Sequence, residues 1–421
     1  MTKDFIKYLI SYYQDFVSQV AFERRDYNLE PNANYVFVGL RRAGKSYLMY
    51  QQIHDLIGQG HRIEEMLYFN FEDDRIESLS VADLDLIKTS YEEMYDCRPI
   101  FFLDEIQNIR GWEKFARRLA DTGYRVYITG SNAKMLSSEI ATTLGGRYVI
   151  KDIYPFSFPE FLSFKKVDLT DRNVLFKQHA AIVKNYEEYF RNGGLPETLL
   201  MQNKRAWISD LFNKIFFGDL IARHQIRNDF ALRIMIRKLA ESVKQPTSYN
   251  RIANIVSTVG KKITVDTVID YVSYLVESWL ILPYENIAAK LADKESNKKY
   301  YFVDNGILNL FLIDPVASLL ENQVAIALRQ RYADNVYFYN KGIEVDFVVY
   351  DEAKAIQVAY SLDDTDTERR EVEALLRLNS VMPMKEMMII TKDEERNIEV
   401  DGAVIRVVPV WKWLIETNKV Q

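Results

Sequence analysis

The sequence contains little of what disulfides, Cys/His metal centres and membrane spans require. Its 421 residues include one cysteine and four histidines, so an intrachain disulfide is impossible and a metal site built on these residue types is not expected. No run approaches the roughly 20 apolar residues of a membrane span. Charged residues also interrupt the apolar patches of the N-terminal stretch MTKDFIKYLISYYQDF. We therefore expect a cytoplasmic protein without a signal peptide or a membrane partner.

An excess of basic charge is missing as well. The chain has 54 Lys and Arg against 60 Asp and Glu, a net charge of −6. This balance argues against attraction of nucleic acid to the whole surface, but it leaves room for a local basic patch, which is what a DNA site needs. A hydrophobic content of 48% is that of a globular protein, and a chain of this length predicts two or three domains.

Five apolar runs between residues 35 and 150 are predicted to be strands, and helical patterns separate them. The runs are YVFV, MLYFNF, PIFFLDE, YRVYITG and RYVIKDIY. Alternating strands and helices predict an α/β fold with a parallel sheet that helices cover on both faces. Because ligands of such sheets bind beyond the carboxyl ends of the strands, we expect the chemistry of this half there.

The first motif is the loop GLRRAGKS, which follows YVFV and leads into the helical pattern YLMYQQIHDLI. Glycines let backbone N–H groups approach phosphate oxygens, and the N-terminus of the next helix favours anions. Lys45 is predicted to reach the β- and γ-phosphates, and Ser46 to bind Mg²⁺. The predicted nucleotide-binding residues are Gly39, Leu40, Arg41, Arg42, Ala43, Gly44, Lys45, Ser46 and Tyr47.

The second motif is PIFFLDEIQ, in which an apolar strand leads into Asp104 and Glu105. Asp104 is predicted to hold the Mg²⁺ shell, and Glu105 to polarise the attacking water as general base. Acidic residues commonly end strands, so this motif indicates a catalytic site only in combination with the phosphate loop. Together the two motifs favour hydrolysis over binding alone.

Two further catalytic candidates follow the next strand. Thr129 and Ser131 close VYITGS, and either side chain could orient water between Glu105 and the γ-phosphate, although TGSN also suits a plain turn.

Arg147 is a candidate to contact the γ-phosphate as an arginine finger, from the same subunit or from a neighbour. A surface ion pair is the alternative for this arginine.

These motifs, with ITGSNAKMLSSEIATTLGGRY and YPFSFPEFL, resemble the AAA+-type ATPases of the bacterial and archaeal group called archaeal ATPases. The later GGLPE and the C-terminal third resemble the domain of unknown function usually attached to them. The resemblance covers nearly the whole chain. It implies ATP binding and Mg²⁺-dependent hydrolysis, with a helical lid after the nucleotide core.

The segment after the lid predicts two helices around a turn that holds Gly260, and the runs ILPYEN and KKYYFVD could form a β-wing. Helix, turn, helix and wing is the plan of a winged-helix module. Asp266 and Asp270 weaken the case for DNA, because they would face phosphates, and winged helices also serve as protein contacts. The candidate DNA-binding residues are Arg251, Lys261, Lys262, Thr264 and Thr267.

The C-terminal third predicts a helix and then the strands VYFYN, IEVDFVV and AIQVAY, an order that resembles the restriction-endonuclease-like core. In that core, acids on one strand and an acid or amide plus a lysine on the next gather around Mg²⁺. Glu321, Asp346 and Gln357 match the acid, the acid and the amide. They are the candidate residues of a vestigial nuclease site.

The lysine of that site is missing at its expected position. Ala359 stands there, and a methyl group cannot stabilise the charge that develops in phosphodiester cleavage. Lys341 or Lys354 could reach in from elsewhere. We therefore expect a catalytically degenerate fold that is retained for binding or assembly.

Four regions are predicted: a P-loop ATPase core over 1–165, a helical lid over 166–240, a winged-helix module over 241–300 and a restriction-endonuclease-like domain over 301–421. The favoured function is a Mg²⁺-dependent ATPase that moves or switches a C-terminal arm on DNA, branched or single-stranded, in a ring or dimer. The alternatives are a nucleotide-dependent protein-binding switch without DNA, and an ATP-gated nuclease.

Overall fold

The structure is a computed structural model, and it describes residues 1–77, 79–131, 142–169, 177–260 and 262–417. The chain divides into two compact units, Met1–Tyr154 and Pro155–Gln421. Among the described residues, no helix combines the length and the apolar character that crossing a membrane requires.

The first unit is built around a five-stranded sheet whose neighbouring strands all run parallel. Its strands are β1 (Asn34–Val38), β2 (Met66–Asn70), β3 (Ile100–Asp104), β4 (Arg125–Gly130) and β5 (Tyr148–Asp152). They lie in the order β2-β3-β4-β1-β5. Its described α-helices include α1 (Lys3–Gln19), α2 (Lys45–Gly58), α3 (Leu84–Glu92) and α4 (Trp112–Asp121).

Apolar side chains explain why these segments form a sheet with two covered faces. Every residue of β3 is buried, and so are the last four of β1, as expected for strands of a parallel sheet. Helix α1 repeats its buried residues at spacings of three and four, and it packs on α3 and β2. The predicted α/β fold with a parallel central sheet is confirmed.

The second unit begins with helices and continues into a small antiparallel sheet. The first helices are α5 (Phe158–Phe164), α6 (His179–Asn192), α7 (Lys204–Lys214), which continues into a π-helical stretch (Ile215–Ala222), and α8 (Asp229–Glu241). They are followed by β6 (Thr247–Ser248), α9 (Tyr249–Val259), α10 (Val265–Glu277), β7 (Ile281–Tyr284), α11 (Leu291–Ser296), β8 (Asn297–Phe302) and α12 (Asn305–Leu308). The sheet order is β6-β8-β7.

Side-chain caps fix where α9 and α10 begin. The Ser248 side chain accepts a hydrogen bond from the backbone N–H of Arg251, and the Thr264 side chain accepts one from that of Thr267. Such caps satisfy N–H groups that a helix leaves unpaired at its start. The two helices contact each other across the short turn between them.

The last part of the second unit is a six-stranded mixed sheet in the order β13-β14-β12-β11-β10-β9. Its elements are α13 (Val316–Tyr332), β9 (Val336–Asn340), β10 (Glu344–Val349), β11 (Lys354–Val358), α14 (Thr365–Val381), β12 (Glu386–Thr391), β13 (Arg396–Val400), β14 (Ala403–Pro409) and α15 (Val410–Thr417). Strands β11, β12 and β14 run parallel, and the other pairs are antiparallel. The apolar face of α14 (Val372, Leu375 and Leu378) shares one core with this sheet.

Candidate functional site

The candidate nucleotide site lies at the carboxyl edge of the parallel sheet, where residues 39–44 join β1 to α2. A Cβ atom at Gly39 would lie 2.0 Å from the carbonyl oxygen of Ile153, so only glycine fits there. Gly44 has φ 99° and precedes α2, whose N-terminus has no side-chain cap. The N–H groups of the first turn are therefore available to an anion.

The Lys45 side chain folds back over this loop and is 4% exposed. Its Nζ atom donates to the carbonyl oxygens of Gly39 and Leu40, each at 3.2 Å. It also lies 3.5 Å from Oε1 of Glu105. Because an ammonium binds an ionised oxygen more strongly than a neutral carbonyl, a phosphate can replace these carbonyl partners.

Asp104, the last residue of β3, is the centre of a buried hydrogen-bond network. Ser46 Oγ donates to Oδ1 over 3.1 Å, the Tyr68 hydroxyl donates to Oδ2 over 2.6 Å, and the Thr129 hydroxyl also donates to Oδ1. Burial and a neighbouring carboxylate raise the pKa of Asp104, and the three hydroxyl donors oppose that rise. The hydroxyl of Ser46 and the carboxylate of Asp104 are the hard oxygen ligands that suit Mg²⁺.

Glu105 follows with φ 53°, a left-handed conformation that is uncommon outside glycine. Its N–H donates to Thr129 Oγ1 over 2.8 Å, and its Oε2 accepts from Gln107 over 2.5 Å. Burial raises the pKa of Glu105, but the charge of Lys45 and the hydrogen bond from Gln107 outweigh burial and hold the pKa below its ordinary value. The carboxyl group is therefore ionised at neutral pH.

Thr129 and Ser131, between which the sequence did not decide, have different contacts. The Thr129 hydroxyl joins the side chain of Asp104 to the backbone of Glu105. Ser131 is buried beside the Glu105 side chain and contributes to lowering its pKa. Thr129 thus holds Asp104 and Glu105 in position, while Ser131 lies next to the Glu105 carboxyl group, which is predicted to activate water.

The remaining predicted loop residues divide by exposure. Leu40 and Ala43 are buried, whereas Arg42 and Tyr47 are exposed. Arg41 forms an ion pair over 2.8 Å with an acid that follows β2. Arg42 therefore faces solvent from the loop and Tyr47 from the first turn of α2, while Leu40 and Ala43 face the interior.

Arg25 supports the loop from behind, and no sequence pattern indicates this role. It is 6% exposed, and its guanidinium donates to the carbonyl oxygens of Ala43 at 3.1 Å and Tyr154 at 3.0 Å. Its backbone N–H and carbonyl oxygen both bond the Gln51 side chain, each at 2.8 Å. Arg25 therefore fixes the loop to α2 and to the chain after β5.

Arg147 lies at the amino-terminal ends of the strands, whereas the loop lies at their carboxyl ends. It precedes β5, which runs parallel to β1, so a strand length of roughly 17 Å separates the two edges. Arg147 forms an ion pair with Asp121 and donates to the carbonyl oxygen of Gly145 over 2.8 Å. This placement does not agree with a γ-phosphate contact in the same chain. A role toward a neighbouring subunit stays a prediction.

The described candidate DNA-binding residues lie at two places: Arg251 is in the first turn of α9, and Lys262, Thr264 and Thr267 lie before or at the start of α10. Arg251 and Lys262 are exposed, and Lys261 lies outside the described residues. The hydroxyl groups of Thr264 and Thr267 are 2.9 Å apart, and Thr264 caps α10. The two threonines therefore have a structural role whether or not they contact DNA.

The structure brings the three candidate nuclease residues to one place. Gln357 Oε1 accepts from the backbone N–H of Asp346 over 2.8 Å, and its Nε2 donates to the carbonyl oxygen of Glu344 over 3.1 Å. Glu321, on α13, accepts from the Tyr301 hydroxyl over 2.8 Å. Glu321, Asp346 and Gln357 all line one cavity of about 650 Å³.

None of the positions considered for the missing lysine supplies an ammonium to this cluster. Ala359 packs in the apolar core of the mixed sheet. Lys354 forms ion pairs with Glu352 at 2.7 Å and Glu386 at 3.4 Å. Lys341 is exposed in the turn that follows β9.

Lys299, on β8, enters the cluster instead. Its Nζ atom lies 3.2 Å from Oε1 of Glu321, 3.1 Å from Oε1 of Glu344 and 3.2 Å from Oδ1 of Asp346. Sequence patterns indicate only a wing strand here. The one available signal is a lysine at a buried position of the otherwise apolar stretch KYYFV.

The sheet, the loop and the acids at the end of β3 define a P-loop ATPase core, and family comparison agrees. Residues 32–162 match the AAA domain family, and residues 183–316 match a domain of unknown function (DUF8612). The chain carries an AAA-type P-loop ATPase domain, which supports ATP binding and hydrolysis.

Two relatives match almost end to end. An uncharacterized protein of Methanocaldococcus jannaschii is 33% identical over 403 residues, which cover 91% of this chain and 89% of that protein. An uncharacterized protein of Haemophilus influenzae is 32% identical over 399 residues, which cover 90% of this chain and 94% of that protein. The chain belongs to the same protein family as these two.

Solved structures show weaker likenesses. The Walker-type ATPase of Pyrococcus abyssi has 12% identity and a TM-score of 0.36, over 66% of this chain and 90% of that one. The Orc1 protein of Aeropyrum pernix, solved in complex with DNA, has 14% identity and a TM-score of 0.28, over 75% and 93%. Both TM-scores are under 0.5, so no conclusion depends on these structures.

Proposed function

We propose that this protein is a Mg²⁺-dependent ATPase whose nucleotide cycle switches or moves its second unit. The observation that carries the proposal is the meeting of Lys45, Ser46, Asp104 and Glu105 at one edge of the parallel sheet. A buried cation, a hydroxyl group and two acids are what phosphoryl transfer to water needs. The AAA domain match supports the same chemistry.

The phosphates of ATP bind the loop from Gly39 to Gly44 and the first turn of α2, where uncapped N–H groups face them. Lys45 exchanges its two carbonyl partners for oxygens of the β- and γ-phosphates. Ser46 and Asp104 hold Mg²⁺, which supplies charge stabilisation at the phosphates. Tyr47, exposed after the loop, borders the bound nucleotide.

Glu105 accepts the proton of the attacking water. While Lys45 lies beside it, the pKa of Glu105 is held down by that charge. When Lys45 turns to the phosphates, this lowering weakens, and the carboxylate becomes a better base. Ser131, beside the Glu105 side chain, orients the water.

The second unit has features that support an arm acting on DNA. Two capped helices and the antiparallel pair β7–β8 support a winged-helix module after the lid helices. The order α13-β9-β10-β11-α14-β12 supports a restriction-endonuclease-like core. We propose branched or single-stranded DNA as the client, with Arg251, Lys262 and the neighbouring Lys261 as phosphate contacts.

A cytoplasmic ring or dimer would complete the nucleotide site. Arg147 lies at the amino edge of its own sheet, so a bound γ-phosphate that it contacts belongs to a neighbouring subunit. In such an assembly Arg147 leaves Asp121 and stabilises the charge of the transition state as an arginine finger does.

A protein-binding switch is the second candidate, and one observation favours it. Asp266 and Asp270 are both exposed and lie four residues apart on α10, so they share one helix face. That face would repel phosphates if α10 entered a groove. In this version, ATP exposes or hides a surface for a protein, and hydrolysis resets it.

The test is steady-state ATP hydrolysis without nucleic acid and with single-stranded, duplex and four-way-junction DNA, at low and near-physiological salt. Stimulation by one DNA form that weakens with salt supports the DNA client. A rate indifferent to every DNA form, with ATP-dependent capture of a protein, supports the switch. Hydrolysis that survives in Lys45→Ala contradicts the ATPase itself.

A further inference from the structure

The Lys299 ammonium is enclosed by the carboxylates of the cluster. Its side chain is 0% exposed, and Nζ lies within 3.2 Å of one oxygen from each of Glu321, Glu344 and Asp346. An ammonium has three donors and no acceptor. The ammonium therefore donates to Glu321 and Asp346, and it also forms an ion pair with Glu344.

The strand that carries Lys299 presents this lysine to the interior and its neighbour to the other face. Lys298 forms ion pairs with Glu285 at 3.3 Å and Glu295 at 3.2 Å. Lys299 and Tyr301, two residues apart and thus on one face, both bond Glu321. A buried lysine is costly unless it is paired, so the acids hold this one in place.

The carboxylate oxygens surround Nζ as ligands surround a cation. The second oxygen of Asp346 accepts from the backbone N–H of Val358 over 3.0 Å, so it is directed away from the cluster centre. Within the described ranges, no set of three His, Cys, Asp or Glu side chains is arranged to hold a metal ion. The Lys299 ammonium therefore occupies the centre of the cluster.

We propose that the Lys299 ammonium takes the place of a divalent cation in this cluster, so that the second unit binds its client without a metal and does not cleave phosphodiester bonds. The inference rests on the proposed function for the client and on the proposed restriction-endonuclease-like core for the comparison with metal-dependent sites. It explains the expected loss of nuclease activity by the position of Lys299, in addition to the absence of a lysine at Ala359.

The cavity beside the cluster makes the inference testable. It has a volume of about 650 Å³, and its lining combines acids, among them Glu344 and Asp346, with the basic residues Lys244, Arg369, Arg370 and Arg377. The Glu344 side chain is 44% exposed, so a hydrated ion can reach the carboxylates from this side. If the ammonium is removed, we expect a divalent cation to enter this space and to compensate the charge of the three carboxylates.

The experiment compares Lys299→Ala with the parent chain, both carrying Asp104→Asn so that metal at the nucleotide site does not contribute. Tryptophan fluorescence follows thermal unfolding, because only Trp112 lies in the first unit and the other four tryptophans lie in the second. In EDTA, Lys299→Ala should lower Tm by roughly 10 °C, since it leaves buried carboxylates without their cation. Millimolar Mn²⁺ should restore at least half of that loss and leave the parent chain unchanged.

Two variants serve as matched controls. Lys298→Ala removes the adjacent lysine on the other face and should shift Tm little, with no response to Mn²⁺. Lys299→Met fills the space that the lysine leaves, so it should be destabilised and gain nothing from Mn²⁺. If Lys299→Ala does not fold, Mn²⁺ stabilisation of the parent chain that Asp346→Asn removes would still overturn the proposal.

The proposal is overturned if Mn²⁺ stabilises the parent chain and Asp346→Asn removes that effect. It is equally overturned by Mn²⁺-dependent DNA cleavage that Asp346→Asn abolishes, or by a folded Lys299→Ala chain that Mn²⁺ does not stabilise. Loss of the proposed ATPase is a separate result, because hydrolysis depends on Lys45 and Glu105 and this cluster contains neither.

Discussion

Each unit buries a lysine among acids, and the two lysines differ in what else they contact. Nζ of Lys45 divides its contacts between Glu105 and two carbonyl oxygens of a glycine loop. Nζ of Lys299 contacts three carboxylates. Phosphate oxygens can displace neutral carbonyl groups but not three charges at once. The first lysine can exchange partners with a ligand, and the second cannot.

The acids around the two lysines also differ in the direction in which their pKa values are shifted. Burial raises the pKa of Glu105, but the charge of Lys45 together with neighbouring hydrogen bonds and a second cation outweighs burial, so the net pKa is lowered. At the other site, three acids face one ammonium, and burial together with the charge of Asp346 raises the pKa of Glu321 to about 7. A site with unbalanced negative charge binds a proton where a balanced site stays ionised.

The largest expected effect comes from Glu105→Gln. Removing the general base should lower kcat by roughly 10²–10⁴-fold and leave ATP bound, because Lys45 then loses its carboxylate competitor. Phosphate release and a fluorescent ATP analogue measure the two quantities. Glu93→Gln, which changes a surface partner of Lys3 and Lys7, is the control. A kcat within a few-fold of wild type would remove Glu105 from the chemistry.

Gly39→Ala should have the next largest effect. The added Cβ would lie 2.0 Å from the carbonyl oxygen of Ile153, so the loop must move, and a misplacement of about 1 Å costs roughly 10²-fold in rate. Gly58→Ala, with nothing within 4 Å of the added atom, is the matched control and should leave hydrolysis unchanged. Equal activity of the two variants would contradict the close packing of the loop.

Tyr68→Phe tests how Asp104 is held. It removes a 2.6 Å hydrogen bond to a buried carboxylate, a contact of about 1.5–3 kcal/mol. The Mg²⁺ concentration for half-maximal hydrolysis should rise by roughly 10-fold, while the KM for ATP at saturating Mg²⁺ changes less. Tyr50→Phe removes only the hydroxyl that lies 3.1 Å from that of Tyr68, so its effect should be smaller. The opposite order of the two variants would contradict this role.

The last prediction concerns the stability of the second unit as pH changes. The pKa of Glu321 rises from 4.5 to about 7 in the folded state, so the folded chain binds a proton that the unfolded chain releases. Its contribution to stability is full below pH 4.5 and is lost as pH rises through 7. Asp304, with a pKa raised by burial to about 6, acts in the same direction. Denaturant unfolding at pH 4.5–8 should therefore show a weaker decline in Glu321→Gln than in wild type. Parallel curves would contradict the shift at Glu321.

The nucleotide half was largely predictable because its motifs are local. Apolar runs indicate the five strands, and the glycine loop lies between a strand and a helix within one short segment. The contacts that hold the site are not local. Tyr68 meets Asp104 across 36 residues, and Arg25 meets Ala43 across 18. A buried tyrosine and a distant arginine have no pattern that indicates such contacts.

In the second unit, contacts between residues that are distant in sequence were even less predictable. The sequence places an acid, an acid and an amide on successive elements, and the structure brings Glu321, Asp346 and Gln357 together. Apart from the position of Lys299 in an apolar stretch, it gives no sign that this lysine joins them, because Lys299 is 22 residues from Glu321 and 47 from Asp346. Arg147 opens the predicted strand RYVIKDIY of a parallel sheet, so its place at the amino-terminal end of the strands, away from the phosphate loop, follows from that prediction.

The most direct test of the central claim, that one buried lysine exchanges partners with a ligand and the other does not, is a count of bound metal. Equilibrium dialysis with Mn²⁺ and a non-hydrolysable ATP analogue gives the number of ions per chain. We predict one ion, lost in Asp104→Asn and kept in Asp346→Asn. Two ions per chain, or one ion that Asp346→Asn removes, would contradict it.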